Sequence, residues 1–216
     1  MEITWHGHSC FHFSEPGFAT VVVDPYDSST TGHPKLQLNA DIVTISHNKP
    51  GHNHIPAIDG SPFIITGPGE YEIGGVFVTG FQTNGKKSEV GTEDRNILYL
   101  FDFDGINIVH LGGIDCVLSQ SEIEELGTVH VALVPIGGNT SLNAVKAAEI
   151  VNLLDPNIVI PMHFMTETSL IDLEPLNKFL NEMGLTVSDP LGSLKIANQR
   201  SLPEETQVIV LEPQFN

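Results

Sequence analysis

Three runs of apolar, β-type residues in this chain end at or just before a histidine. They are Val43-Thr44-Ile45 before His47, Ile106 to Val109 before His110, and Ile158 to Pro161 before His163. Such runs read as buried strands, and in α/β sheets ligands gather beyond the carboxyl ends of the strands. Three distant segments are therefore expected to bring imidazoles to one rim. Taken singly, His110 and His163 read as satisfied histidines at the edge of a core; their recurrence at strand ends is what points to a shared site.

The first of these runs lies in the stretch DIVTISHNKPGHNH, Asp41 to His54, with His47, His52 and His54 within eight positions. Imidazole is the commonest protein ligand for transition metals and titrates near neutrality, so the cluster reads as a metal or acid-base site. A polar loop rich in histidine is the alternative. His6, His8 and His12 fall on or beside the first strands, where alternation puts them on one face. His8, in a Gly-His-Ser turn, is the most plausible neighbour of the site. His33 and His130 read as incidental.

The rest of the chain supports an α/β fold. Short strands ITW, CFHF and TVVV open it, a polar loop covers residues 27–38, and FIIT, a Gly-Pro-Gly-Glu turn and VFVTGF follow. Residues 82–95 hold no periodic hydrophobes and read as a mobile loop. NILYLFDF and INIV flank an Asp104-Gly105 hairpin turn. Ser119-x-x-Glu122 opens a short helix that Gly127 closes. Leu142, Val145, Ala148, Val151 and Leu154 predict an amphipathic helix over residues 140–154, and Leu173, Leu176, Phe179 and Leu180 another over 172–183. A β-rich half followed by alternating strand and helix, with no linker or repeat, implies one layered domain over residues 1–216.

Composition excludes some partners. Lys plus Arg number 9 against 27 Asp plus Glu, a formal charge of −18, which argues against affinity for nucleic acid or anionic membranes. Met1 leads straight into a strand without a signal-like segment, and no run of about eighteen apolar residues occurs, so a cytoplasmic protein is expected. Cys10 and Cys116 lack CxxC spacing and read as reduced thiols.

The runs WHGHSCF, VVVDPY, TISHNKPGHN, GPGEYEIGGV, HLGG, LVPIGG and IVIPMHF, in this order and spacing, resemble a metallo-β-lactamase-fold family of small metal-dependent hydrolases, the branch that includes the ascorbate-phosphate lactonase relatives. The resemblance covers about Met1 to Gly184. It implies a four-layer αββα sandwich with a dinuclear metal site along one edge. The family's chemistry uses a His-x-His-x-Asp-His loop, a His-Leu-Gly-Asp segment and a later histidine. By that resemblance His47 and His52 match the first and last histidines of the loop, and His110 and His163 match the later ligands. Lys49 stands where the second histidine would be, Gly51 replaces the aspartate, and Gly113 replaces the aspartate that bridges the metals.

Relative to the family pattern two negative charges are lost and one positive charge is gained. Lysine, with a reference pKa of about 10.4, is protonated and cannot coordinate. A two-metal site is thus not expected, and the cofactor is either none or one divalent metal, zinc or manganese. His8, His54 or Asp115 would complete a mononuclear site. Alternatively the Lys49 ammonium fills the first metal's space and the pocket takes a small anion. Glu70 and Glu72 read as solvated turn residues, and no other nucleophile machinery is visible. The expected function is a hydrolase relative with a degraded dinuclear site, catalytically impaired or anion-binding. The alternatives are an active mononuclear hydrolase of a phosphorylated or lactone-like molecule and a subunit pairing with an intact homologue. Self-association as a homo-oligomer follows only by analogy.

Overall fold

A computed structural model describes residues 1–83, 95–186 and 189–215. Two mixed sheets pack face to face. The first has the order β14 (Leu194–Lys195), β1 (Glu2–Trp5), β2 (Phe11–Ser14), β3 (Val21–Val23), β5 (Ile42–Thr44), β7 (Phe63–Ile65). The second has the order β15 (Gln207–Val208), β13 (Ile158–Met162), β12 (Val131–Pro135), β11 (Ile106–His110), β10 (Ile97–Phe103), β9 (Val76–Gln82), β8 (Gly69–Ile73). β3, β5 and β7 run parallel, as do β11, β12, β13 and β15. Antiparallel pairs complete each sheet. Strands β12 and β13 are buried along their whole length, as continuous apolar runs in a covered parallel sheet should be.

Aromatic side chains from both sheets fill the space between them. Phe13 of the first sheet meets Phe101 of the second edge-on at 5.2 Å, and Trp5 packs on Phe164 at 5.1 Å. The Tyr99 hydroxyl crosses from β10 to the carbonyls of Ile45 and Ile65, tying the sheets together near the site. Helices α3 (Ala144–Leu154) and α4 (Leu176–Glu182) pack on each other, with α3 against β12. The outer face of the first sheet carries a second small core around Val22, Tyr26, Leu38, Val43 and Ile58. After the short helix α1 (Ser28–Thr31), a 3-10 turn (Ile55–Ala57) and the pair β4 (Leu38–Asn39) and β6 (Ile58–Asp59) contribute residues to this core.

Several local expectations hold and some need correction. Helix α2 (Gln120–Leu126) begins with the Ser119–Glu122 capping box and stops at Gly127. Helix α3 starts at Ala144 because the Asn143 side chain caps the Lys146 amide. That start places Ala144, Ala147, Ala148, Ile150, Val151 and Leu154 inward and leaves Val145 58% exposed, so Val145 is not a core position. Residues 69–73 form strand β8 beyond the glycine turn, and residues 28–31 form a helical turn that Asp27 caps. Most of the loop expected over residues 82–95 lies outside the described residues. Among the described residues, no helix is long and apolar enough to cross a membrane.

Candidate metal centre

The site is assembled at one end of the sandwich, where β5, β11 and β13 finish near His47, His110 and His163. Its anchor is Asp24, directly after β3, fully buried and in the left-handed region at φ +44°. The carboxylate accepts from the Ser46 amide at 2.7 Å, the Ser46 hydroxyl at 2.5 Å and His52 Nδ1 at 2.9 Å. Because a carboxylate only accepts, the His52 proton sits on Nδ1. The Ser46 hydroxyl proton is committed to Asp24, so its oxygen must receive His47 Nδ1–H at 2.8 Å. One carboxylate thereby sets the tautomer of two imidazoles and leaves both Nε2 atoms unprotonated.

His8 and His163 meet this pair from the other side. Both hold left-handed backbone, at φ +52° and +54°, a conformation that costs a non-glycine residue about 1–2 kcal/mol. The His163 amide donates to the His8 carbonyl at 2.9 Å, locking the two turns together. His163 Nδ1 lies 3.3 Å from the Ser141 hydroxyl, whose proton goes to the Gly138 carbonyl, so His163 too turns a bare Nε2 away from this bond. His8 Nε2–H donates to the bare His52 Nε2 at 3.2 Å, a proton that a cation between the rings would replace. The ring centroids of His8 and His163 are 4.3 Å apart, and those of His47 and His52 4.1 Å.

These donors fit a divalent cation. The ligand atoms of His8, His52 and His163 all lie within 4.8 Å of one another, as do those of Asp24, His47 and His52. Two nitrogens at about 2.0–2.1 Å from a tetrahedral zinc are about 3.3 Å apart, close to the observed His8–His52 spacing. His52 belongs to both groups, but Asp24 already spends three of its roughly four lone-pair sites on Ser46 and on the His52 proton. A carboxylate bonded to the far nitrogen of a ligating histidine is the usual orienting arrangement. The His8, His52 and His163 set, with Asp24 behind it, is therefore the better-formed one.

The expected candidates are placed unequally. His47, His52 and His163 come together, and His8 is a full member of the cluster rather than its neighbour. His110 is buried beside them, but its Nε2 donates to the Ser9 carbonyl at 3.0 Å and its Nδ1 accepts from the Gly112 amide at 3.2 Å. Ligation by His110 through either nitrogen would forfeit one of these bonds, and the ring now pegs the His8 turn to β11. Lys49 is exposed rather than seated among the rings, although its charge acts on His47 and His52. His54 is half-buried, with its amide on the Pro25 carbonyl, and Asp115 is half-buried beside Cys116, its carbonyl held by Lys146 at 2.9 Å. Neither belongs to a metal-capable group among the described residues.

Gly51 and Gly113 both lie close against histidine rings. A Cβ on Gly51 would lie 3.0 Å from His8 Nε2, and Gly51 has φ +96°, which disfavours any side chain. A Cβ on Gly113 would lie 2.5 Å from His47 Cε1.

Burial governs the protonation of the cluster. It pushes His47 and His163 down to about 4, and for His47 the Lys49 charge lowers it further while Asp24 opposes. Burial and neighbouring histidines hold His8 and His52 well below the ordinary imidazole value. At neutral pH the rings are neutral, the form that binds a metal.

Asp24 is the member of this cluster that reading the sequence for chemistry passed over. Its signal was there: an acidic residue ending the apolar run VVV and followed by Pro25, at the same sheet rim as the histidines.

A family profile described as a Beta-lactamase superfamily domain matches residues 2–163. The chain is 26% identical over 222 residues to a UPF0173 metal-dependent hydrolase of Archaeoglobus fulgidus, covering 87% of this chain and 94% of that one. Among solved structures it resembles a proposed Zn-dependent hydrolase of the metallo-β-lactamase superfamily from Thermotoga maritima, with 32% identity, a TM-score of 0.78 and 97% of each chain covered. The fold is shared with Igni18, a metallo hydrolase of Ignicoccus hospitalis, at 21% identity and a TM-score of 0.67, covering 89% of this chain and 97% of that one. With two mixed sheets, a histidine-rich rim and these relatives, the chain belongs to the metallo-β-lactamase superfamily and is similar over most of its length to the UPF0173 metal-dependent hydrolases.

Proposed function

We propose that this chain is a single-metal hydrolase of the superfamily, holding one zinc or manganese ion between His8, His52 and His163 and acting on a small anionic ester or lactone. The observation that carries the reading is the 3.2 Å approach of His8 Nε2 to His52 Nε2, with the His52 proton fixed on the far nitrogen by Asp24. Three protein ligands leave a coordination position open, the arrangement of catalytic rather than structural zinc. A cation so held supplies Lewis acidity and a water acidified toward neutrality. The protein's own residues do the rest. Asp24 keeps the His52 lone pair pointed inward, and His47, with its proton on the Ser46 side, offers an unprotonated nitrogen at the rim. The exposed Lys49 ammonium supplies charge for an anionic substrate.

The second metal position of the superfamily is given up in this reading. Lys49 cannot ligate, and Gly51 and Gly113 supply no carboxylate and are packed against the His8 and His47 rings. Binding of a small anion without any metal is the competing reading, favoured by the action of the Lys49 charge on both His47 and His52. Elemental analysis separates them. Protein purified without chelators and dialysed exhaustively should retain about one zinc or manganese per chain, and His163→Ala should lose it together with any lactonase or phosphodiesterase activity. A metal-free protein that still binds phosphate would overturn the proposal.

A further inference from the structure

The two large sheets end in four edge strands, β14 and β7 on the first and β15 and β8 on the second. An open strand edge is a template for pairing with another chain, and short length or charged side chains are the usual guards against it. β14 and β15 are two residues long, with an exposed Lys195 on β14, and β8 presents the exposed side chains of Glu70 and Glu72. β7 has no charged guard. Residues 60–69, GSPFIITGPG, hold no ionisable side chain, and Phe63 and Ile64 are 51% and 41% exposed.

The backbone of β7 faces two ways. The Phe63 amide donates to the Asp41 carbonyl at 2.8 Å and the Ile65 carbonyl accepts from the Ile45 amide at 2.9 Å, so both residues bond on the β5 side. By alternation the amide and carbonyl of Ile64, and those of Thr66, point to the open edge, where no strand pairs among the described residues. Phe63 shares a face with Ile65 and meets the Tyr71 ring of β8 at 6.3 Å, while Ile64 lies on the other face with Val43. Because Tyr71 turns toward Phe63, Glu70 and Glu72 fall on the opposite face of β8. Asp41 turns its carboxylate to the amide and hydroxyl of Thr20, on the β3 side.

We propose that the β7 edge is a self-association surface, on which a second copy of this chain pairs antiparallel about a two-fold axis at Ile64. Such a contact is isologous, the same patch on both copies. Ile64 meets its own counterpart as a hydrogen-bonded pair and exchanges both N–H···O bonds with it. Each Thr66 amide donates to the Pro62 carbonyl of the other copy, so the amide that proline lacks removes one bond on each side without breaking the ladder. The first sheets of the two copies become continuous, the Ile64 side chains lie side by side, and Phe63 of each copy sits across from Ile65 of the other. Charge selects this occupant. At −18 a second copy is repelled along most approaches, whereas along residues 60–69 no carboxylate opposes another. A strongly charged partner finds nothing there to pair with. The surface does not depend on what the central cluster holds.

Sedimentation velocity of the full chain over a range of concentrations tests the proposal. The parent should form a dimer with a dissociation constant on the order of micromolar, as a small interface gives. Ile64→Glu sets like charges opposite each other and Thr66→Pro removes an edge amide; each should weaken the dimer by about tenfold or more. Phe77→Glu, on the exposed face of β9, should leave it unchanged. Circular dichroism establishes that each variant is folded, and hydrogen exchange of the Ile64 amide should slow as the parent is concentrated. A parent that stays monomeric up to about 100 μM would overturn the proposal. So would folded Ile64→Glu and Thr66→Pro that associate as the parent does, or an assembly that grows beyond two copies.

Discussion

Replacing Asp24 by Asn changes one atom of a buried side chain and tests how the central cluster is held. The carboxylate takes three hydrogen bonds, two of them on Oδ2 from the Ser46 hydroxyl and His52 Nδ1. An asparagine can keep the Ser46 amide on its oxygen, but its NH₂ group then faces two donors. Hydrogen bonds to a charged group contribute about 1.5–3 kcal/mol each, so losing two costs about 3–6 kcal/mol before relaxation. Relaxation is available: the Ser46 hydroxyl rotates, and His52 moves its proton to Nε2. That second step returns some stability but puts a proton where the lone pair must face the cation. The expected net loss is about 3 kcal/mol, or about 6–12 °C in melting temperature for a chain of this size. Zinc affinity should fall by about 10–100-fold, the usual effect of removing an orienting partner. Thermal melts with and without zinc, together with a competition titration against a chelator, measure both quantities. A variant melting within about 2 °C of the parent, with zinc affinity within about twofold, would refute the idea that Asp24 sets the cluster.

Gly51→Asp should lower metal retention rather than restore a second ion, because φ +96° is hostile to a side chain and its Cβ would meet His8 Nε2; elemental analysis of the dialysed variant reads this directly. The metal-free protein should lose stability on acidification. Burial depresses His33, His47 and His163 to about 4, so the folded chain binds fewer protons than the unfolded one; their contribution is complete above about 6.5 and lost as pH falls from there toward 4. A melting temperature flat across that window would contradict it. On α3, Val145→Ser should change stability by less than about 0.5 kcal/mol, whereas Ile150→Ala should cost about 2–5 kcal/mol in urea denaturation.

The strand-end histidines were legible because a continuous apolar run followed by a polar ligand type is a local pattern, and both sheets obey it at β5, β11 and β13. What the chain does with each ring was not legible. His110 and His163 have the same strand-terminal signature, yet backbone groups of Ser9 and Gly112 claim both nitrogens of His110 while His163 keeps one nitrogen free for the cluster. Those partners come from residues remote in sequence, so spacing carries no trace of them. His8 was underweighted for a similar reason: its inward turn depends on a left-handed backbone angle that the Gly-His-Ser triplet only hints at. Alternation correctly put His6 and His12 on one face but failed for His8, which lies past the end of β1. The Val145 error came from reading helical phase without the Asn143 cap that fixes where the helix begins.

The central claim is that one cation, not two, sits between His8, His52 and His163. An anomalous difference map collected at the zinc edge from crystals of the protein purified without chelators addresses it directly. One peak is expected in that cluster, about 2.0–2.1 Å from the three Nε2 atoms, with Asp24 still bonded to His52. Two peaks about 3.5–4 Å apart within the cluster would contradict it, as would none.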